Sequence, residues 1–207
     1  MRQILYTSHD CPFCERAIST LKYADIDTEI RSVDFNHMPE QANAIVASPS
    51  VPLLVHPNKS YLDESWDMVK WALEQNDPNN WLGKDHQFLQ EAEMLVETYD
   101  HSFYSDYKTY VTSASLANAR QACEEYVEEI EDMLNEHEYL LADHITIADI
   151  SIVGFIRLFS LHEPQWFAQA PYPKCRSWIS RLTSTPYFKA ALTKHPLWQS
   201  NAQPIIL

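Results

Sequence analysis

The chain changes its pattern near residue 77, and this change most limits the folds that it can adopt. Before it, short strand-like runs alternate with helical runs, whereas the apolar patterns after it have helical spacing. The intervening segment, Asp77-Pro78-Asn79-Asn80, is polar and rich in residues that interrupt regular structure. We therefore predict two domains, residues 1–76 and 85–207, joined by a linker at 77–84.

The order of the patterns defines the fold class of each predicted domain. In the first, strand patterns lie at 3–7, 28–33, 51–55 and 60–62, and helical patterns at 12–24, 39–47 and 64–74. This βαβαββα order predicts an α/β domain with a small mixed sheet flanked by helices. In the second, helical patterns lie near 85–107, 115–137, 146–161, 172–184 and 186–194. We predict an all-α domain without strands.

Composition and charge argue against several classes of function. The net charge of −14 is spread over both regions, and an acidic surface repels nucleic-acid phosphates and anionic membranes. The N-terminal residues lack the apolar core of a signal peptide, and no apolar run approaches the length of a membrane span. We expect a soluble, cytoplasmic protein that binds neither nucleic acid nor membrane.

The clearest chemical motif is Cys11-Pro12-Phe13-Cys14, which follows a strand pattern and opens a helical one. Unpaired backbone N–H groups and the helix dipole at such a position favour a thiolate over a thiol. The thiolate is the reactive form in thiol–disulfide exchange. We therefore expect Cys11 to be a nucleophile and Cys14 a resolving thiol.

The other cysteines bear on whether the motif serves redox chemistry or binds a metal. Cys123 and Cys175 stand alone within helical patterns, where a buried apolar role is expected. His9 is a conceivable third ligand, but the sequence offers no fourth ligand at zinc-site spacing. A redox pair is favoured over a metal site, and we predict no bound metal.

Two further patterns have both a structural and a functional interpretation. Glu64-Ser65 opens a helical pattern, which brings a carboxylate, a hydroxyl and free backbone N–H groups together. This combination occurs in an ordinary helix cap and also in a binding site for an amino acid. Val51-Pro52 precedes a strand pattern, where proline commonly begins an edge strand. Thr146-Ile147-Ala148-Asp149 has the form of a capping box and is a structural signal.

In this order and spacing, the dithiol, Val51-Pro52, Glu64-Ser65 and the box at Thr146–Asp149 resemble the cytosolic glutathione transferase superfamily. The pattern is nearest to the two-domain bacterial glutaredoxin and to uncharacterised bacterial proteins similar to glutathione transferases. The resemblance implies a thioredoxin-like first domain, an all-helical second domain and glutathione as co-substrate.

The resemblance also assigns roles to residues of the first domain. It implies a cis bond between Val51 and Pro52, with the Val51 backbone bound to the cysteinyl part of glutathione. It implies that Glu64 and Ser65 bind the γ-glutamyl end. Phe13 and Pro52 are likewise expected to bind glutathione, and Phe13, which lies between the two cysteines, is expected to shape the approach to the sulfurs.

Three functions remain open from the sequence. The leading hypothesis is a glutathione-dependent thiol-disulfide oxidoreductase, or thiol transferase, that acts on a small-molecule or protein disulfide. The second is a glutathione S-transferase that conjugates glutathione to an electrophile; Tyr6 is then a candidate activating hydroxyl, although burial explains it more simply. The third is a non-catalytic interaction protein of the same architecture. Relatives of this kind occur as monomers and as homodimers, so both states are expected.

Overall fold

The computed structural model describes residues 2–83, 85–112 and 116–207. These residues form two compact units, which are treated separately below. The first unit joins the chain up to Asn79 to a distant segment, Thr185–Leu207, and the second contains Asn80–Ser184. The last segment, which we expected to belong to the second domain, is therefore part of the first unit.

The secondary-structure elements follow in chain order. The first part of unit one contains β1 (Gln3–Thr7), α1 (Pro12–Tyr23), β2 (Thr28–Ser32), α2 (Glu40–Asn43), β3 (Leu53–Val55), β4 (Tyr61–Leu62) and α3 (Ser65–Gln75). Unit two contains α4 (His86–Thr98), a π-helical segment (Tyr99–Phe103), α5 (Tyr104–Thr112), α6 (Leu116–Glu136), α7 (Ile147–His162), α8 (Pro164–Gln169) and α9 (Pro173–Thr183). The segment Thr185–Leu207, called the returning segment below, adds α10 (Pro186–Leu192) and β5 (Ile205–Ile206) to unit one.

The five strands form one mixed sheet in the order β4-β3-β1-β2-β5. The central pair, β1 and β2, is parallel, and the other pairs are antiparallel. We predicted the mixed sheet but no strand in the C-terminal half. Ile205 and Ile206 are too few to show an alternating pattern, and they become a strand only because they pair with the edge of β2.

The two faces of the sheet carry separate apolar clusters, as the alternation of side chains along β1 requires. Leu5 faces α1 and α3 and packs with Leu21, Leu54 and Met68 in the larger cluster. Its neighbour Tyr6 points to the opposite face and belongs to a second cluster. Helix α1 is therefore held from one side by the sheet, which fixes the position of its first turn.

A stack of side chains attaches the C-terminal segment to the second face. The guanidinium of Arg31 lies 4.3 Å from the centre of the Trp198 ring and donates to the Tyr6 hydroxyl at 2.9 Å. The Trp198 backbone N–H donates to the Ser32 carbonyl oxygen at 2.7 Å. Together with β5, these contacts explain why the returning segment joins unit one.

Unit two is built around helix α7, and the predicted capping box at its start is present. The fully buried Asp149 carboxylate accepts from the Thr146 backbone N–H at 2.9 Å and the Thr146 hydroxyl at 2.7 Å. It also accepts from the Leu140 N–H at 3.0 Å and the Trp178 indole at 2.8 Å. The box thus joins α7 to α9 as well as capping its own helix.

In the described parts of the chain, we find no helix that combines the length and apolarity needed to cross a bilayer.

Candidate functional site

Helix α1 begins at the dithiol, with Cys11 as its N-cap residue. Asp10 takes a left-handed backbone conformation, with φ of 53°, and turns the chain from the end of β1 into the helix. The Cys11 sulfur then accepts the backbone N–H of Cys14 at 3.2 Å, as a serine oxygen does in an ordinary cap. The expected placement of the motif at a helix N-terminus is therefore confirmed.

The two sulfurs differ in exposure and in their hydrogen-bond donors. Cys11 is partly exposed, whereas Cys14 is 0% exposed. Burial opposes a thiolate at Cys14, but the Cys11 side chain and the Ser8 backbone N–H outweigh it, so that the pKa of Cys14 is lowered overall. The pKa of Cys11 is raised, first by its hydrogen bond to Cys14 and then by burial.

The two thiols therefore titrate as a pair. Its first proton leaves below the usual pKa of cysteine and its second well above it, because the remaining thiol donates to the thiolate. We expected the thiolate at Cys11. Of the two thiols, Cys14 is the one whose pKa is lowered.

Arg16, one turn further along α1, connects the dithiol helix to α3. Its side chain is only 2% exposed, and its Nε and one terminal nitrogen donate to the Ser65 hydroxyl oxygen at 3.0 and 2.8 Å. The same guanidinium lies 5.3 Å from the centre of the Phe13 ring. Phe13 and Ser65, two of the predicted glutathione-binding residues, therefore contact one cation.

These contacts orient the Ser65 hydroxyl. A hydroxyl has two acceptor sites and one proton to donate, and Arg16 takes up the acceptor side. Among the described residues, none accepts the Ser65 proton, so this proton is available to an anion at the start of α3. Ser65 is the first residue of that helix, where backbone N–H groups also favour an anion.

Glu64 precedes Ser65 as the N-cap residue of α3. Its side chain is exposed and makes no capping hydrogen bond, so the carboxylate can face solvent or a cationic group. A carboxylate beside a helix N-terminus and an oriented hydroxyl can together hold an ammonium and a carboxylate, the two charged groups of an amino acid.

The Val51-Pro52 bond is cis, as the resemblance implied. Pro52 is buried and Val51 half-buried, and the β1–β3 pairing begins only at Leu53. The backbone N–H and C=O of Val51 therefore lie outside that strand ladder.

The remaining candidates have structural partners. Tyr6 is 1% exposed and accepts a hydrogen bond from Arg31, so its hydroxyl is already engaged. The His9 ring nitrogen Nε2 lies 3.0 Å from the His195 carbonyl oxygen of the returning segment.

Burial raises the pKa of the Cys123 thiol to about 12 and that of Cys175 further, which makes both thiols inert near neutral pH. Within the described ranges, no group of three histidine, cysteine or acidic residues could hold a metal ion.

Sequence reasoning missed the connecting role of Arg16. A charged residue beside Ala17 and Ile18 on the apolar part of α1 was the available signal for this role.

Comparison with known proteins supports the same assignment for both halves of the chain. Residues 5–81 match the family model of the glutathione S-transferase N-terminal domain, and residues 113–181 match that of the C-terminal domain. "Glutathione S-transferase 1" of Schizosaccharomyces pombe is 24% identical over 202 residues, which cover 84% of this chain and 88% of that protein.

Solved structures share the fold over nearly the whole chain. A glutathione S-transferase from Rhodospirillum rubrum is 20% identical with a TM-score of 0.77, covering 98% of this chain and 96% of its own. A glutathione S-transferase from Methylobacillus flagellatus, solved with glutathione bound, is 16% identical with a TM-score of 0.78, covering 91% of this chain and 98% of its own. With both domain models matched in the expected order, the chain belongs to the glutathione transferase superfamily.

Proposed function

We propose that this protein is a glutathione-dependent thiol transferase that reduces disulfides through Cys11. The observation that carries the proposal is the partly exposed Cys11 sulfur, which lies at the N-cap of α1 in a hydrogen-bonded pair with Cys14. The first proton of the pair leaves below the ordinary cysteine pKa, which favours the thiolate that the exchange requires. Free thiols of this kind persist in a reducing compartment, and the cytoplasm is the compartment that we propose.

Glutathione is the co-substrate in this proposal. Its γ-glutamyl carboxylate would accept from the Ser65 hydroxyl and the first N–H groups of α3, and its ammonium would pair with Glu64. The Val51 backbone would bind the cysteinyl part, and Phe13 would cover the approach to the sulfurs. The relative from Methylobacillus flagellatus, which has glutathione bound, supports the choice of ligand.

The reaction begins when Cys11 loses its proton to solvent and becomes a thiolate, and Cys14 loses its own proton to solvent before it acts as the resolving thiol. That thiolate attacks a disulfide, forms a mixed disulfide on Cys11 and releases one thiolate, which takes a proton from solvent. Either glutathione or Cys14 then attacks the mixed disulfide. Attack by Cys14 gives a Cys11–Cys14 disulfide, which two molecules of glutathione reduce, leaving oxidised glutathione and the dithiol.

Turnover of a small glutathione mixed disulfide by wild type, Cys11→Ser and Cys14→Ser tests the proposal. We expect Cys11→Ser to lose the activity and Cys14→Ser to keep the route that uses a second glutathione. Full turnover by Cys11→Ser would overturn the proposal. The matched control is Cys123→Ser, because this buried thiol with a raised pKa should not contribute.

The alternatives give different results in the same experiment. Conjugation of an aromatic electrophile that persists in Cys11→Ser would identify a transferase that activates glutathione without the dithiol. Engagement of the buried Tyr6 hydroxyl by Arg31 argues against Tyr6 as that activating group. Failure to bind immobilised glutathione would indicate a non-catalytic interaction protein.

A further inference from the structure

A short loop, residues 8–10, carries the chain from the end of β1 to Cys11. The pairing of β1 with β2 ends at Thr7 and Ser32, so the loop itself lies outside the sheet. Within it, Asp10 has a left-handed backbone conformation, which costs most residues free energy and which aspartate tolerates better than most. The position of Cys11 therefore depends on the contacts that this loop makes with the rest of unit one.

The side chain of His9 makes such a contact with the returning segment. Its ring nitrogen Nε2 lies 3.0 Å from the carbonyl oxygen and 3.3 Å from the backbone nitrogen of His195. His195 follows α10, 186 positions later in the chain, and both residues belong to unit one. In the part of the chain that the structure describes, the loop makes its side-chain hydrogen bonds to the rest of this unit through His9 alone.

The two backbone groups of His195 suit either protonation state of the His9 nitrogen. An Nε2 without a proton accepts from the His195 N–H, whereas an Nε2 that carries a proton donates to the His195 carbonyl oxygen. The contact is therefore available to both neutral tautomers of the ring and to the cation.

The His195 backbone is a firm partner because its segment is anchored on both sides. Before it, Ala191 of α10 belongs to the larger apolar cluster, which α1 also joins. After it, Trp198 stacks on the Arg31 guanidinium, and its backbone N–H binds the carbonyl oxygen of Ser32 in β2. The loop before Cys11 is thus tied to a segment that is itself fixed to the dithiol helix and to the sheet.

We propose that His9 is a positioning residue of the dithiol, whose ring binds the His195 backbone and thereby holds the Cys11 sulfur at the start of α1 for attack on a disulfide. With oxidised glutathione, the Cys11 thiolate attacks one sulfur and forms a mixed disulfide. The sulfur–sulfur bond of oxidised glutathione breaks, and its other half leaves as a thiolate that takes a proton from solvent. The role in this attack rests on the proposed function, whereas the effect of His9 on the position of the sulfur can be measured without it.

The first test measures how firmly the Cys11 sulfur is held. The Cys14 backbone N–H donates to this sulfur at 3.2 Å, so the hydrogen exchange of the Cys14 amide, followed by nuclear magnetic resonance, reports its displacement. His9→Phe keeps a ring but lacks the nitrogen, and the Cys14 amide should then exchange about five- to tenfold faster, as expected for one lost hydrogen bond. An exchange rate in His9→Phe equal to that of wild type would overturn the proposal.

Matched variants make this result specific to the contact with His195. His9→Gln should exchange like wild type, because its amide can donate to the His195 carbonyl oxygen and accept from the His195 N–H. His9→Ala removes the ring and should show the same acceleration as His9→Phe. His37→Phe is the control, since this exposed histidine pairs with Asp34 and should not affect the Cys14 amide. Equal acceleration in His9→Gln and His9→Phe would contradict the assigned contact.

The second test separates positioning of Cys11 from a merely structural role. Formation of the mixed disulfide with oxidised glutathione needs an oriented sulfur, whereas alkylation of Cys11 by iodoacetamide needs only an accessible thiolate. His9→Phe should form the mixed disulfide about tenfold more slowly than His9→Gln, while their rates of alkylation should differ by less than about twofold.

Two outcomes of this comparison would overturn the positioning role. One is an equal rate of mixed-disulfide formation in the two variants, and the other is a loss of both reactions to the same extent in His9→Phe. If wild type forms no mixed disulfide, the proposed function fails, while the exchange of the Cys14 amide still decides whether His9 holds the Cys11 sulfur.

Discussion

Replacement of Ser65 by alanine tests the binding geometry most sharply. Two nitrogens of the buried Arg16 donate to the Ser65 oxygen, which leaves its proton free for the γ-glutamyl carboxylate of glutathione in the binding mode proposed above. A hydrogen bond to a charged group contributes about 1.5–3 kcal/mol, so Ser65→Ala should raise the Kd for glutathione about 10- to 150-fold. Isothermal titration calorimetry on the folded variant measures this change.

Two comparisons make the result specific to the carboxylate. A glutathione analogue with that carboxylate converted to an amide should lose much less affinity on Ser65→Ala, because the charge-assisted bond is already absent. Ser60→Ala is the matched control, since Ser60 is exposed and its hydroxyl donates only to Asn58 in a turn. Equal loss of affinity for glutathione and for the amide would refute the oriented-hydroxyl argument, as would a Ser65→Ala protein that binds like wild type.

Three further predictions concern the thiols and the two stabilising clusters. Iodoacetamide applied to the native protein at neutral pH should modify Cys11. It should spare Cys123 and Cys175, because their raised pKa values keep these thiols protonated. Peptide mass spectrometry detects the modified residues, and modification of Cys123 or Cys175 would contradict this prediction. Asp149→Ala should lower the free energy of unfolding by about 3–5 kcal/mol, because several buried donors lose their acceptor, and Asp149→Asn should lower it less. Urea unfolding measures both changes. Equal losses in the two variants would contradict the role of Asp149 as a shared acceptor. Trp198→Ala should lower the free energy of unfolding by about 1–2 kcal/mol, because the stacking of Trp198 on the Arg31 guanidinium is lost. An unchanged free energy of unfolding would show that this stack does not hold the returning segment.

Much of the fold could be predicted because its signals are local. Pro12 at the start of α1, the spacing of apolar residues along α3 and the box at Thr146 each encode one element within a few residues. Strand β5 could not be predicted in this way. Its two residues gain their conformation from the exposed edge of β2, which lies more than 170 positions earlier in the chain.

The same distinction between local signals and tertiary contacts applies to the candidate site. The dithiol at a helix N-terminus is a local pattern, and its position was predicted correctly. The orientation of Ser65 depends on Arg16, and therefore on how α1 packs against α3. The lowered pKa of Cys14 depends in part on the Ser8 backbone, which lies outside the motif. These contacts arise from tertiary packing, so no short stretch of sequence contains them.

The pairing of β5 with β2 has a consequence for synthesis on the ribosome. About 170 residues must be translated after β2 and before β5, which takes about 9–35 s at typical elongation rates. During this interval the outer edge of β2 lacks its partner strand, and an unpaired strand edge can pair with other chains. A nascent chain therefore has a period of vulnerability to aggregation that ends when Ile205 and Ile206 emerge. For the same reason, a fragment that stops after α3 would keep the dithiol yet leave this edge open.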